Sequence, residues 1–133
     1  MAIKKNSARQ EPLTAILTIK HSDVTAYGTA EPAIDVSGGA IVIGGDITVV
    51  DAWNSGTTAT LKLGDKGDDD RYTATAVDLK TAGRSALTLT GYKYAGIDAL
   101  KALFAQSGTA ATKGEVRITV QYIADGRQTA SLG

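Results

Sequence analysis

The chain has 133 residues, no cysteine, and 14 basic against 14 acidic side chains, for a formal net charge of zero. That length suits one domain able to bury a sizeable core. The missing cysteines exclude disulfide frameworks, thiolate metal sites and cysteine nucleophiles, and the charge balance argues against electrostatically driven nucleic-acid binding. Aromatic residues make up only 5%, too few for a row of base-stacking rings.

Residues 1–12, MAIKKNSARQEP, carry Lys4, Lys5 and Arg9 and few apolar groups. The segment lacks the apolar stretch of a secretory signal, and no apolar run in the chain approaches the roughly 20 residues of a membrane span. The reading is an extended N-terminal arm that docks on a partner, followed by a domain over 13–127 and a short tail over 128–133. The protein is expected to be made in the cytoplasm of its host cell.

Leu13 to Lys20 alternates as a strand, with Leu13, Ala15, Leu17 and Ile19 on one face. His21-Ser22-Asp23 reads as a turn, Val24 to Thr29 as a shorter strand, and Ala33 to Val36 as a third. Ala40 to Val50 holds two β runs around Gly44-Gly45, and paired glycines in strand grammar mark a bulge or sharp bend. Asn54-Ser55-Gly56 turns the chain into Thr57 to Leu63, which predicts a hairpin from about Ile47 to Leu63. Tyr72 to Asp78 and Ala86 to Thr90 are two further strands, with a turn at 81–84 between them. Ile97 to Phe104 has both helical spacing (Ile97, Leu100, Leu103, Phe104) and strand alternation (Leu100, Ala102, Phe104). Gly114 to Ile123 is the cleanest strand. About eight strands with regular turn signals predict an all-β sandwich or barrel.

Chemistry-bearing motifs are sparse. Asp65, Asp68, Asp69 and Asp70 share the loop from Gly64 to Arg71, but no Glu closes a calcium-binding template, and Lys66 and Arg71 offset the charge. The loop reads as solvated or partner-facing, with no metal and no cofactor expected. His21 is the lone histidine, and no nucleophile elbow accompanies it. The glycine pairs fit no phosphate loop, and Lys66-Gly67-Asp68 is too short to carry meaning. Trp53, Tyr92 and Tyr94 read either as core or as anchors for a sugar or protein partner. The sum is a neutral β domain with no catalytic residues, suited to structure or interaction.

Three segments carry a resemblance: DVSGGAIVIGGDITVVDAWNSGTTATLKLGDKGDDDRY at 35–72, TGYKY at 90–94 and GEVRITVQYIADGR at 114–127. Together they resemble the head cement or decoration proteins of short-tailed bacteriophages, small virion proteins with a jelly-roll sandwich. The likeness spans roughly residues 13–127. It implies a jelly-roll-like antiparallel β-sandwich of about eight strands with 97–104 as strand. It further implies a homo-dimer or homo-trimer on the outer surface of a phage head, bridging major capsid protein subunits without nucleic acid or membrane. Partner-binding residues are then expected first in the arm (Ile3, Lys4, Lys5, Arg9) and second at Trp53, Asp68, Asp69, Asp70 and Arg71. A neck or tail virion protein, or a carbohydrate-binding module with Trp53, Tyr92 and Tyr94 lining an exposed groove, are the alternatives.

Overall fold

Alternation of apolar and polar residues builds both sheets. The computed structural model describes residues 8–126 together with residues 2, 3, 5, 130 and 131. Its strands are β1 (Ala8–Arg9), β2 (Leu13–Lys20), β3 (Ala30–Val36), β4 (Ala40–Asp51), β5 (Thr58–Gly64), β6 (Val77–Asp78), β7 (Gly83–Ala86), β8 (Asp98–Ser107), β9 (Glu115–Ala124) and β10 (Ala130–Ser131), with one 3-10 turn at His21–Asp23. Two four-stranded antiparallel sheets, in the orders β2-β9-β4-β7 and β3-β8-β5-β6, face each other, while β1 pairs with β10. From β2 to β9 every connection crosses between the sheets except β5 to β6, which is the winding of a jelly roll.

The core lies between the sheets. Ile47 and Val49 of β4 and Val116, Ile118 and Val120 of β9 meet Leu61 and Leu63 of β5 and Leu100 and Phe104 of β8. The strand reading of 97–104 holds: Leu100, Ala102 and Phe104 point inward, whereas Ile97 is 88% exposed. A helix would have buried Ile97 with Leu100. The register between β4 and β9 shifts between Val42 and Gly44, which is the expected bulge. Gly45 beside it has φ +138°, and a Cβ there would stand 2.2 Å from the Thr119 carbonyl oxygen, so only glycine lets the strands approach.

Four local expectations give way. β4 and β5 lie in different sheets, so the segment from Ile47 to Leu63 is a sheet-to-sheet corner and not a hairpin. Asn54 fixes that corner: its Oδ1 accepts from the Thr112 and Lys113 N–H groups, and its Nδ2 donates to Thr112 Oγ1. Alternation specifies which face of a strand is buried but says nothing of which strand it pairs with. Val24 to Thr29 forms a loop across the sandwich edge, with the Gly28 N–H donating to the Phe104 carbonyl at 2.7 Å. Between Tyr72 and Asp78 only Val77–Asp78 is strand: the Tyr72 N–H donates to the Leu63 carbonyl, but the Leu63 N–H donates to the Thr73 side-chain Oγ1 where a ladder would supply a backbone carbonyl. The strand expected at 86–90 ends at Ala86, beyond which Leu87 and Thr88 donate to the Gly45 and Tyr72 carbonyls.

Candidate partner-binding surface

The loop after β5 begins with Gly64, where a Cβ would stand 2.1 Å from the Asp68 carbonyl oxygen. Its absence lets the loop fold back upon itself. Asp65 then turns inward and is almost wholly buried. Its Oδ1 accepts from the Gly67 and Asp68 N–H groups at 2.9 and 3.0 Å. Arg71 donates Nε to Oδ2 at 2.6 Å and Nη2 to Oδ1 at 3.2 Å. The Tyr94 hydroxyl donates to Oδ2 at 2.7 Å. Since its one proton is thereby used, the Tyr72 hydroxyl, 2.7 Å away, donates to Tyr94.

Burial alone would raise the Asp65 carboxyl, but the hydrogen bonds from Arg71, Tyr94 and Gly67 outweigh it and hold the group below the ordinary carboxylate value. The bond to Asp65 raises Arg71 in turn. Burial raises both Tyr72 and Tyr94. The Arg71 guanidinium also lies 3.7 Å over the Tyr92 ring, which meets Tyr94 edge-on with centroids 5.0 Å apart.

This closed network sorts the loop's charges. Asp65 and Arg71 neutralise each other inside, leaving Asp68, Asp69 and Asp70 as an exposed acidic face with Lys66 at its rim. The three carboxylates bring oxygens within 4.8 Å of one another. Asp70 is raised by its contact with Asp68 first and by the neighbouring like charges after that. The cluster is fully exposed.

In the arm, Ile3 is 96% exposed and Lys5 and Arg9 are exposed, while Lys4 lies outside the described residues. Arg9 pairs along the backbone with Ala130. Gln10 anchors the arm's base to the sandwich: its side-chain amide donates to the Ala124 carbonyl and accepts from the Ala124 N–H.

Trp53 is only 2% exposed, stacks on Phe104 with centroids 5.9 Å apart, and donates its Nε1–H to the Tyr27 hydroxyl. This corrects its expected place among the partner contacts. Arg71 is likewise turned inward onto Asp65. With Trp53 and Tyr94 both buried, the three rings do not line an exposed groove, so the condition for a carbohydrate module is not met. In the 3-10 turn the Asp23 carboxylate accepts from the Lys20 N–H, which ties that acid to the backbone.

The Asp65–Arg71–Tyr94–Tyr72 network escaped sequence reasoning, because Asp65 and Tyr94 stand 29 positions apart in two different loops. Gly64 and Gly67 flanking Asp65 are the one local sign of an aspartate that turns into its own loop.

Fold and surface together define a jelly-roll β-sandwich that carries an exposed acidic loop. No protein-family model matches the sequence, and no curated protein matches it. Three solved bacteriophage capsids contain chains of this fold. One, from the capsid asymmetric unit of cyanophage Pam1, is 22% identical, with 92% of this chain and 91% of the other covered at a TM-score of 0.67. Another, from the capsid of Ralstonia phage GP4, is 16% identical over 98% and 92% of the two chains at a TM-score of 0.63. A third, from the acid-stable capsid of Helicobacter pylori bacteriophage KHP30, is 12% identical over 89% and 95% at 0.62.

Proposed function

We propose that this protein is a virion structural protein of a tailed bacteriophage, and within that class a cement or decoration protein. It binds the outer surface of the head and bridges neighbouring major capsid protein subunits. The observation that carries this is reciprocal coverage: each chain spans about nine tenths of the other in the Pam1 match. The neighbour is therefore a stand-alone sandwich of similar length, as an accessory to a shell would be, and not one domain of a large shell-forming chain.

The chemistry of such a protein is binding. A rigid sandwich loses little conformational freedom on docking, and an arm with exposed Ile3 and Lys5 can order against a shell. The acidic face of Asp68, Asp69 and Asp70 offers a second contact, to basic residues of a subunit. Each copy buries a modest area, and assembly as a homo-dimer or homo-trimer multiplies the effect through avidity.

Quantitative gel densitometry of purified virions against the major capsid protein tests the proposal. Hundreds of copies at a simple ratio to the shell protein are expected. A handful of copies moves the protein to the neck or tail, and absence from the virion overturns the structural reading altogether.

A further inference from the structure

Strand β2 lies at the edge of its sheet, bonded to β9 on one side and, among the described residues, to no strand on the other. In an antiparallel pair, residues alternate between those bonded to the partner and those whose N–H and C=O point away. The His21 N–H donates to the Gly114 carbonyl, one step beyond the Lys20–Glu115 pair. That fixes the parity: Leu13, Ala15, Leu17 and Ile19 bond to β9, and Thr14, Ile16 and Thr18 direct their backbone groups outward. The Lys20 N–H, which has the outward parity, is satisfied by Asp23 Oδ2 at 2.8 Å.

Edge strands of monomers are normally blunted by proline, charge or a bulge. The other long edge strand, β3, has Pro32 and a register shift between Pro32 and Ile34. β2 has neither device: its eight residues pair with β9 without a break, and the first charge is Lys20 at its end. Ile16, at its centre, is 67% exposed. Below this edge, Leu17 and Ile19 are only partly buried and line an open cleft with Val24 and Phe104.

The sequence of β2 is also complementary to itself. An antiparallel two-fold centred on Ile16 sets Ile16 against Ile16, and Thr14 against Thr18 of the second copy. On the inner face it sets Leu13 against Ile19 and Ala15 against Leu17. Lys20 meets Pro12, so no like charges oppose one another. We infer that β2 is the interface through which two copies of this chain join, making one continuous eight-stranded sheet across an isologous two-fold. The inference goes beyond the head-binding reading and does not depend on it, since its readout is self-association of the purified chain.

Sedimentation velocity on the purified protein at tens of micromolar is expected to give a dimer, and Ile16→Lys a folded monomer by circular dichroism. The chain has no cysteine, so a single introduced thiol reports unambiguously. Directly opposed bonded residues lie about 5.5 Å apart at Cα, within disulfide range. Ile16→Cys should therefore cross-link to a dimer on mild oxidation, while the exposed control Ile97→Cys should not. A monomeric wild type, a dimer that survives in folded Ile16→Lys, or Ile16→Cys cross-linking no faster than Ile97→Cys would each overturn the interface. Should Ile16→Lys not fold, the cysteine pair alone decides.

Discussion

Arg71 reaches back six residues to hold Asp65 at two points, with Nε 2.6 Å from Oδ2 and Nη2 3.2 Å from Oδ1. The pair is largely buried, at 16% and 3% side-chain exposure. Its geometry leaves Asp65 with five hydrogen bonds, two from the loop's own backbone, two from Arg71 and one from Tyr94. The loop's inward half is thus locked to the sandwich while its three remaining aspartates are held outward.

Breaking this pair from the arginine side strands a buried carboxylate. Arg71→Ala is expected to cost about 3 kcal/mol in chemical denaturation. The pH dependence has a definite sign. Because the folded Asp65 carboxyl lies below its ordinary value of 3.8, its contribution is complete above that value and is lost as pH falls through the lower folded one. Wild type should therefore lose more stability between pH 4 and pH 2 than Asp65→Asn does. Parallel pH profiles would show that the pair is not linked to folding.

At the alkaline end the tyrosines act in the opposite sense. Tyr72 and Tyr94 are both raised above their ordinary 10.0, chiefly by burial. Above pH 10 the unfolded chain loses protons that the folded chain retains, so stability falls as pH rises. Titration followed by tyrosinate absorbance near 295 nm should show two of the five tyrosines ionising above the ordinary 10.0. In Tyr94→Phe the fall in stability above pH 10 should be shallower.

Gly64 allows the loop to close, and the atoms around it are backbone atoms that cannot swing aside. A methyl carbon added at Gly64 would stand 2.1 Å from the Asp68 oxygen and 2.4 Å from the Asp69 carbonyl carbon. Gly64→Ala is expected to cost about 2 kcal/mol through overpacking. Gly96, with nothing within 4 Å and no left-handed φ, supplies the control. Gly96→Ala should leave the thermal midpoint unchanged or slightly raised, since it only restricts the unfolded chain.

How far the fold was legible depends on whether the signal was local. The alternation in β2 and β9 was enough to place both strands and their inward faces. For 97–104 periodicity was divided, and the family resemblance favoured the strand. The same split yields a test: Leu100→Ala, at a fully buried site, should cost about 2–5 kcal/mol, whereas Ile97→Ser should be near neutral. A helix would make both costly. The Ile47–Leu63 hairpin misled because two alternating runs around a turn look alike whether they pair or part into opposing sheets. Trp53 beside a polar turn resembled a surface anchor, yet a corner between sheets is where a large ring can fill the end of a sandwich. The Asp65 network was invisible for a related reason: an aspartate among aspartates gives no local hint that a tyrosine 29 residues later will bury it.

The docking arm is the part of the proposed function most open to direct test. Gln10 binds Ala124 through both its amide oxygen and nitrogen, so a truncation must stop short of β1 to spare the sandwich. Removing residues 2–7 takes away Ile3, Lys4 and Lys5 and leaves that anchor in place. Stability of the truncated chain should stay within about 0.5 kcal/mol of wild type, as for other exposed changes. Its co-sedimentation with phage heads stripped of the protein should be lost. The triple change of Asp68, Asp69 and Asp70 to Asn separates the second contact: it should weaken head binding and reduce its salt sensitivity, because screening acts on the exposed charges that it removes. Undiminished head binding by the truncated chain would discard the arm and leave the acidic loop or the sandwich faces to carry the attachment.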